Sequence, residues 1–229
     1  MLLTPALWGM DPMLILMLAV VLFLATHSVP AIPAVRQRAI AVLGWKGYVL
    51  LYSLLSIASL VLVGWGYRQA PYLPLWERDP RLFWLPVLVM PWAWMLVVAG
   101  LVIPNPFSIS LWRDRAAEPT TGLPAVVRHP VLWGFLLWAV AHMVVNEDAA
   151  SLLMFGLFAL LALMGMRGLD RKRRRLWGDE QWSRCWERRS WRAAHWSQAV
   201  ALLAGLAAYG VFLELHERLI GVAPWPAGF

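Results

Sequence analysis

Histidines are the residues of this sequence with the most informative chemistry, because four of the five lie in or beside long apolar runs. An ionisable side chain inside an apolar run is energetically costly, and it therefore marks a candidate functional site. A neutral imidazole is a good ligand for haem iron or a transition metal. The four candidates are His27, His129, His142 and His216, whereas His195 lies in a basic segment and is expected at the level of the lipid headgroups.

The spacing of these histidines limits which of them can share a ligand. His129 and His142 are about 20 Å apart along a helix that rises about 1.5 Å per residue, so the two cannot bind one iron together. Depth in the membrane pairs His27 with His129, and His216 with His142. A first helix that continued past Pro30 to about Arg36 would let His27 approach His142. Hydrogen bonding to another helix or to a headgroup is the alternative role of each histidine.

The composition shows which elements must position these side chains. Of the 229 residues, 61% are hydrophobic and 14% are charged, whereas soluble domains carry about 25% charged residues. This excludes an ordinary soluble enzyme and a disordered protein, and it predicts an all-α, polytopic membrane bundle that forms one domain over residues 1–229. The six predicted spans are Met13 to about Pro30, Tyr48–Tyr67, Leu82–Ile103, Pro130–Val145, Ala149–Met166 and Ala199–Ile220.

Basic residues predict the orientation of the bundle. The net charge is +7, and all but four of the 20 Lys and Arg residues lie on one side of a six-helix arrangement. By the positive-inside rule that side is cytoplasmic, and both termini are then periplasmic. The richest segment is predicted as a cytoplasmic loop at about 167–197. Its run Arg171–Arg175 is explained by anchoring of the membrane topology, which needs no specific partner, and attraction to anionic lipid is the alternative. Nucleic acid is not an expected partner.

Two further features are the N-terminal apolar run and the single cysteine. Ser28-Val29-Pro30-Ala31 has the small residues of a signal-peptide cleavage site. However, no Lys or Arg precedes the apolar run, and Asp11 lies where a positive charge belongs. We therefore expect this run to remain as a span. With Cys185 as its single cysteine, the chain forms no intramolecular disulfide.

Short motifs recur in order along essentially the whole chain, and together they resemble the NnrU family. Proteins of this family are bacterial inner-membrane proteins, named for genes found beside those for denitrification and nitric oxide reduction. The resemblance therefore implies a multi-pass protein of the bacterial inner membrane. The motifs are Thr26-His27-Ser28, Gly44-Trp45-Lys46-Gly47 to Tyr52-Ser53, Gly64-Trp65-Gly66-Tyr67, Arg128-His129-Pro130, Trp138 to Ala141-His142, Asn146 to Asp148 with Ser151, and His216 to Gly221-Val222.

The same domain resembles the plant plastid 15-cis-ζ-carotene isomerases, membrane enzymes that use b-type haem to isomerise a central cis double bond. This resemblance implies haem b with His27 and His142 as axial ligands. The isomerases carry a cysteine three residues before the second ligand, where this chain has Ala139, so their redox-dependent ligand exchange is not carried over. Reserve ligand candidates are His129 and His216, and Arg128 and Asn146 are candidates for supporting roles.

The implied function is a redox, nitric oxide or denitrification-linked, or polyene cis–trans isomerase-like role. The expected partners are the lipid bilayer, haem, and a hydrophobic small-molecule substrate or denitrification proteins. A non-enzymatic accessory factor for nitrite or nitric oxide reduction is an alternative from a different functional class.

A second resemblance is to membrane methyltransferases of the isoprenylcysteine carboxyl type. It rests on Arg128-His129-Pro130-Val131-Leu132-Trp133-Gly134 and on Asp170 followed by Leu176-Trp177-Gly178. It implies S-adenosylmethionine as cofactor at the cytoplasmic face. Those enzymes carry a Glu-rich segment here and then a Tyr-containing one, whereas this chain has a basic run followed by Trp182 and Trp186.

Overall fold

The structure, a computed structural model, describes residues 9–111, 119–192 and 195–225. Helices dominate these residues, together with two isolated β-bridges. Short 3-10 turns at Val29–Ala31 and Pro80–Phe83 precede the second and third helices. In chain order the helices are α1 (Pro12–Ser28), α2 (Pro33–Gln69), α3 (Trp84–Val102), α4 (Leu123–Val126), α5 (Pro130–Val145), α6 (Ala149–Trp177), α7 (Asp179–Glu187) and α8 (Trp196–Ile220).

The lengths of these helices match a membrane setting. Four helical segments are long and apolar enough to cross a membrane, namely α2, Pro80–Val102, α6 and α8, and the shorter apolar helices α1 and α5 accompany them. In hydrocarbon a helix satisfies its own backbone groups, which an open segment cannot do. The predicted all-α, polytopic membrane fold is confirmed, and α5 begins and ends at the predicted residues.

The first helix ends earlier than the extension to Arg36 that we considered. It stops at Ser28, and the backbone at Ile32 is extended, with ψ at 118°. Two prolines explain the break. Pro30 supplies no N–H for a continuing helix, and Pro33 disfavours the helical conformation of Ile32 before it. The extension of helix 1 is therefore wrong, and His27 lies in the last turn of α1.

A kink divides α2 into a basic segment before Gly44 and a long apolar segment after it. Gly44 has φ +70° and ψ 167°, which interrupts the helix and which glycine adopts without the clash of a Cβ. The guanidinium of Arg36 lies 5.4 Å from the centre of the Trp45 ring, across the kink. The kink therefore separates the residues that favour the membrane surface from those that enter the hydrocarbon.

Two compact units make up the chain. The first contains the chain up to Glu77 together with Glu147–Leu157. Within it α1 and α2 pack antiparallel, and a Cβ at Gly66 would lie 3.1 Å from the Cα of Leu16. Ten residues towards the other end of α1, the hydroxyls of Thr26 and Ser59 lie 3.4 Å apart. Small residues thus let the two helix backbones approach closely, as is usual between membrane helices.

A hydrogen-bonded turn closes one end of the first unit. The backbone N–H of Leu75 donates to the carbonyl of Glu147 at 2.7 Å, and Tyr72 donates its hydroxyl to the Glu147 carboxylate. The side chain of Asp148 caps the start of α6 by accepting from the backbone N–H and the hydroxyl of Ser151. The acidic pair after α5 therefore stabilises the connection to α6.

The second unit contains Arg78–Asn146 and the chain from Phe158 onwards. Its centre is α3, which packs against both α5 and α8 through glycines. A Cβ at Gly134 of α5 would lie 2.7 Å from the carbonyl of Ala93, and a Cβ at Gly205 of α8 would lie 2.6 Å from the Cα of Met95. Both distances are shorter than a carbon contact allows, so these crossings require glycine.

The segment that we predicted as a basic loop at about 167–197 is helical over most of its length. The helix α6 continues through the arginine run to Trp177, and α7 follows after Gly178, whose φ is +81°. Arginine and lysine are good helix formers, so the apolar helix continues as a basic one where it leaves the membrane. The hydropathy pattern marked the end of the span and not the end of the helix.

Candidate functional site

The His27 side chain is held by its own helix. Its Nδ1 lies 2.8 Å from the carbonyl oxygen of Phe23, and its ring stacks on the Phe23 ring at 4.0 Å between centroids. The hydroxyl of Thr26 lies 3.2 Å from the same nitrogen. Because a carbonyl oxygen only accepts, Nδ1 carries the proton and Nε2 carries the lone pair. This is the tautomer that a metal-ligating histidine needs.

His142 has the same arrangement on α5. Its Nδ1 lies 2.8 Å from the carbonyl oxygen of Trp138, one turn earlier. The side-chain amide of Asn146 donates to the backbone carbonyl of His142 at 2.7 Å, as does the backbone N–H of Asn146 at 3.1 Å. Asn146, predicted in a supporting role, therefore ends α5 and holds the backbone that carries the imidazole.

His216 lies near the end of α8, in the same unit as His142. Its Nδ1 is 2.8 Å from the carbonyl oxygen of Val222, and its ring meets Phe212 edge-on at 5.7 Å. The similar membrane depth of His216 and His142 stays a prediction.

His129 differs from the other three, because both of its ring nitrogens have side-chain partners. Nδ1 lies 3.0 Å from the hydroxyl of Ser108, and Nε2 lies 3.1 Å from Asp170, which also receives Arg128 at 2.7 Å. The residue is 3% exposed. To bind a metal, His129 would have to give up one of these hydrogen bonds. Its role as a reserve ligand stays a prediction.

Burial determines the protonation of His129, which precedes α5. Burial lowers its pKa below the usual 6.5, and the nearby Asp170 carboxylate opposes this effect. Nε2 also lies 3.4 Å from the Nε–H of Arg128, which is a donor, but its contact with the Asp170 carboxylate is shorter. The shorter contact favours a neutral ring that donates from Nε2 to Asp170 and accepts at Nδ1 from the Ser108 hydroxyl. This arrangement leaves a neutral imidazole, fixed between a carboxylate and a hydroxyl, that can accept a proton.

Arg128, His129, Asp170 and Ser108 form a polar group, and an aromatic cluster adjoins it. We use this name for Phe107, Trp177, Trp182 and Trp186, in which the Phe107 ring meets each tryptophan edge-on at 5.4–5.8 Å. The guanidinium of Arg128 lies 4.7 Å from the centre of the Trp186 ring. The Trp182 indole N–H is buried and has no hydrogen-bond partner among the described residues. Three further guanidiniums lie over the tryptophans of the cluster, those of Arg173, Arg174 and Arg189. The cluster therefore combines aromatic faces, four cations and an unused donor.

The sequence analysis missed the residues that pair with Arg128 and His129 in the polar group. Ser108 lies beyond α3, and Asn105 donates its amide to the carbonyl of Arg128 at 2.9 Å. Asn105 also accepts from the backbone N–H of Phe107 at 3.0 Å, which fixes the turn. The contacts of Ser108 with His129 and of Asn105 with Arg128 join positions more than 20 residues apart in the chain, and no local pattern predicts them. The one available signal was an acidic residue, Asp170, beside a run of arginines.

Metal sites built from three or more protein side chains are not found in the part of the chain that the structure describes. No group of three or more His, Cys, Asp or Glu side chains among these residues has a geometry that could hold a metal ion. A haem needs only one or two protein ligands, since the porphyrin supplies the others. The histidines described above are therefore the relevant candidates.

Comparison with known proteins identifies the family. The family described as NnrU protein matches residues 15–224. The chain belongs to the NnrU family. The match contains all four intramembrane or membrane-end histidines and the Arg128–Asp170 pair, so the candidate site lies within the family domain.

A curated relative of this NnrU protein has a methyltransferase name. Methanethiol S-methyltransferase 2 of Bradyrhizobium diazoefficiens is 30% identical over 152 residues, which cover 58% of this chain and 56% of the relative. The chain thus spans about half the length of the relative. No solved structure matches the chain.

Proposed function

We propose that this NnrU protein is a multi-pass membrane protein that binds b-type haem, with His142 as one axial ligand. The observation that carries the proposal is the Nδ1 contact of His142 with the carbonyl of Trp138 at 2.8 Å. A donated N–H fixes the ring and raises the basicity of Nε2, which is the usual outer-shell arrangement of metal-ligating histidines. His27 has an equivalent contact and is the second ligand implied by the family resemblance.

When bound, b-type haem would supply a redox-active iron and, with one ligand released, an open coordination position. The residues of the chain would supply orientation. The carbonyl of Trp138 holds the His142 ring, and Asn146 holds the backbone at the end of α5. Two strong ligands favour electron transfer, whereas a nitric oxide-linked or isomerase-like role requires that one ligand leaves.

An absorption spectrum tests this proposal directly. Detergent-purified protein expressed with ample haem is measured oxidised and dithionite-reduced, with a pyridine haemochrome assay. We expect a stoichiometric b-type spectrum and the loss of the Soret band in His142→Ala. His195→Ala is the matched control and should keep the spectrum. A colourless wild type would contradict the proposal and favour an accessory role. An unchanged His142→Ala spectrum in folded protein would show that His142 is not an axial ligand.

Two more variants identify the second ligand. Loss of the low-spin spectrum in His27→Ala would assign it to His27, as the family resemblance implies. Loss in His216→Ala with an unchanged His27→Ala would assign it to His216, which lies in the second unit together with His142. Neither assignment depends on the identity of the substrate.

A second candidate function is supported by the polar group beside the aromatic cluster. There Arg128, His129 and Asp170 form one hydrogen-bonded set, and a curated relative bears the name of a thiol methyltransferase. S-adenosylmethionine carries a sulfonium cation and an aromatic base, which aromatic faces and a carboxylate bind favourably. A thiol acceptor must also lose a proton, and a neutral His129 can accept it.

Cofactor binding separates this candidate from the first. If the site binds S-adenosylmethionine, titration calorimetry should detect binding to wild type and at least a tenfold loss, about 1.4 kcal/mol, in Arg128→Ala. Arg175→Ala removes an exposed arginine of α6 and serves as the charge-matched control. Absence of binding to the wild type would exclude the methyltransferase candidate and would leave the haem proposal untouched.

A further inference from the structure

A cavity of about 490 Å³ lies within the second unit, between the end of α3 and the start of α8. Val102, Ile103 and Ala201 form an apolar wall, and Thr120 and Ser197 form a polar one. Both helix ends are at the side that the loop charges predict to be cytoplasmic. The cavity is therefore amphipathic and lies at the level where lipid headgroups meet the hydrocarbon.

The polar wall is fixed by hydrogen bonds on both of its sides. The carbonyl of Thr120 accepts from the backbone N–H of Ser190 at 3.0 Å, and the Gly122 N–H donates to the Ser190 carbonyl at 2.9 Å. Gln198, a buried residue of α8, accepts from the N–H of Leu123 at 2.9 Å. Gly122 has φ +65°, and a Cβ there would lie 1.9 Å from the Gln198 amide. These contacts hold the polar wall of the cavity in a defined conformation.

Two groups in this wall lack the acceptors that they require. Thr120 is 3% exposed, and its hydroxyl has no hydrogen-bond partner among the described residues. A buried, unpartnered hydroxyl is unfavourable and calls for an explanation. At the start of α8 the N–H of Gln198 donates to the carbonyl of His195 at 2.9 Å. The N–H groups of Trp196 and Ser197 precede the first intrahelical hydrogen bond and need other acceptors, and the side chain of the N-cap residue His195 does not supply one.

A phosphate group carries several anionic oxygens, which can accept from a hydroxyl and from backbone N–H groups. Helix N-termini favour phosphate, since the unpaired N–H groups and the helix dipole both attract negative charge. A second cavity of about 310 Å³ shares Pro119 with the first and is lined by Arg184 and Arg188, which add positive charge. The apolar wall beside the phosphate position suits the start of acyl chains.

We propose that this cavity binds the phosphate group of an anionic membrane lipid. Thr120 and the first turn of α8 contact the phosphate, and Val102, Ile103 and Ala201 contact the adjoining apolar part. Arg184 and Arg188 favour an anionic over a zwitterionic headgroup. The proposal goes beyond the haem and methyltransferase candidates and depends on neither.

Native mass spectrometry of the full chain in detergent tests this proposal, with palmitoyl-oleoyl-phosphatidylglycerol as the probe. Thr120→Val keeps the shape of the side chain and removes only a hydroxyl without a protein partner, so the variant should fold. We expect about tenfold weaker binding of the probe to Thr120→Val, because a charge-assisted hydrogen bond is lost. Ser197→Ala should weaken it as well. Ser53→Ala, an exposed hydroxyl of α2, should bind as the wild type does.

Two competitors identify the source of the phosphate. Phosphatidylcholine should bind more weakly than phosphatidylglycerol, and millimolar inorganic phosphate should not displace the lipid. Displacement by inorganic phosphate would overturn the lipid assignment and indicate a site for a free phosphate. Equal lipid binding by wild type, Thr120→Val and Ser197→Ala would overturn the proposed site itself.

Discussion

Hydrogen bonds at single histidines distinguish residues that look alike in the sequence. Nδ1 of His27, His142 and His216 lies 2.8 Å from a backbone carbonyl in each case, and the lone pair is then on Nε2. His129 instead uses both nitrogens with Ser108 and Asp170. A ring with both nitrogens engaged must give up a hydrogen bond before it can bind iron. The same residue type thus has two different hydrogen-bonding environments in this chain.

The neutral state of His129 predicts a pH dependence of stability. Because its folded pKa is lowered, the unfolded chain binds more protons below pH 6.5, and stability is lost as the pH falls through the folded pKa. We expect the melting temperature in detergent to fall on acidification from neutral pH, by about 2–4 °C for each kcal/mol lost. His129→Gln should make this pH dependence shallower.

The control for this measurement is His195→Gln, an exposed histidine outside the polar group. Its melting temperature should follow pH as that of the wild type does. Identical pH profiles for wild type and His129→Gln would show that the burial of His129 does not contribute to acid sensitivity.

At the scale of elements, prolines and glycines decide where helices end and how closely they pack. Pro30 and Pro33 separate α1 from α2, and Gly44 with φ +70° kinks α2. In the second unit Gly134 and Gly205 bring α5 and α8 against α3. Such crossings matter in a membrane, where packing and not the hydrophobic effect holds helices together.

Two glycines of α8 provide a matched test of this packing. In Gly205→Ala the new methyl would lie 2.6 Å from the Cα of Met95, which cannot move without its backbone. We expect a loss of about 1–3 kcal/mol of stability, measured as a lower melting temperature in detergent. Gly210→Ala has nothing within 4 Å of the added methyl and should be neutral or slightly stabilising. Equal effects of the two substitutions would contradict the close crossing.

At the scale of the whole molecule, charge and apolar length together predict the orientation of the chain. The basic residues cluster in the segment before the Gly44 kink, around Arg128, and along the end of α6 and α7. The connection between α5 and α6 carries Glu147 and Asp148 and no basic residue. Since positively charged segments remain on the cytoplasmic side, the basic clusters and the acidic connection between α5 and α6 are expected on opposite faces of the membrane.

Cysteine labelling tests this orientation. In a Cys185→Ala background, Glu77→Cys is introduced between α2 and α3, and Arg175→Cys is introduced near the end of α6. A membrane-impermeant maleimide applied to intact spheroplasts should label the first variant and should label the second only after the membrane is opened. The reverse pattern would invert the predicted topology.

The sequence by itself determined the class of the fold and most of the spans. The length and hydropathy of an apolar run are local properties, and a run of this kind must be helical in lipid. α5 was predicted to its end residues, because Pro130 starts it and polar Asn146 follows it. The family and the four histidines were also recognisable from ordered motifs. The long helical continuation of α6 was missed, since hydropathy reports the membrane boundary and not the helix end.

Only the tertiary structure decided which polar groups meet. Arg128 and His129 were visible as a motif, but their partners Asp170 and Ser108 come from other elements, and no local pattern encodes such pairings. The cavity behind Thr120 likewise exists only because α3, α8 and the segment before α4 converge there. The tautomer of each histidine follows from the atoms around it. Hydrogen-bond geometry depends on contacts between distant positions, and these form only when the helices pack.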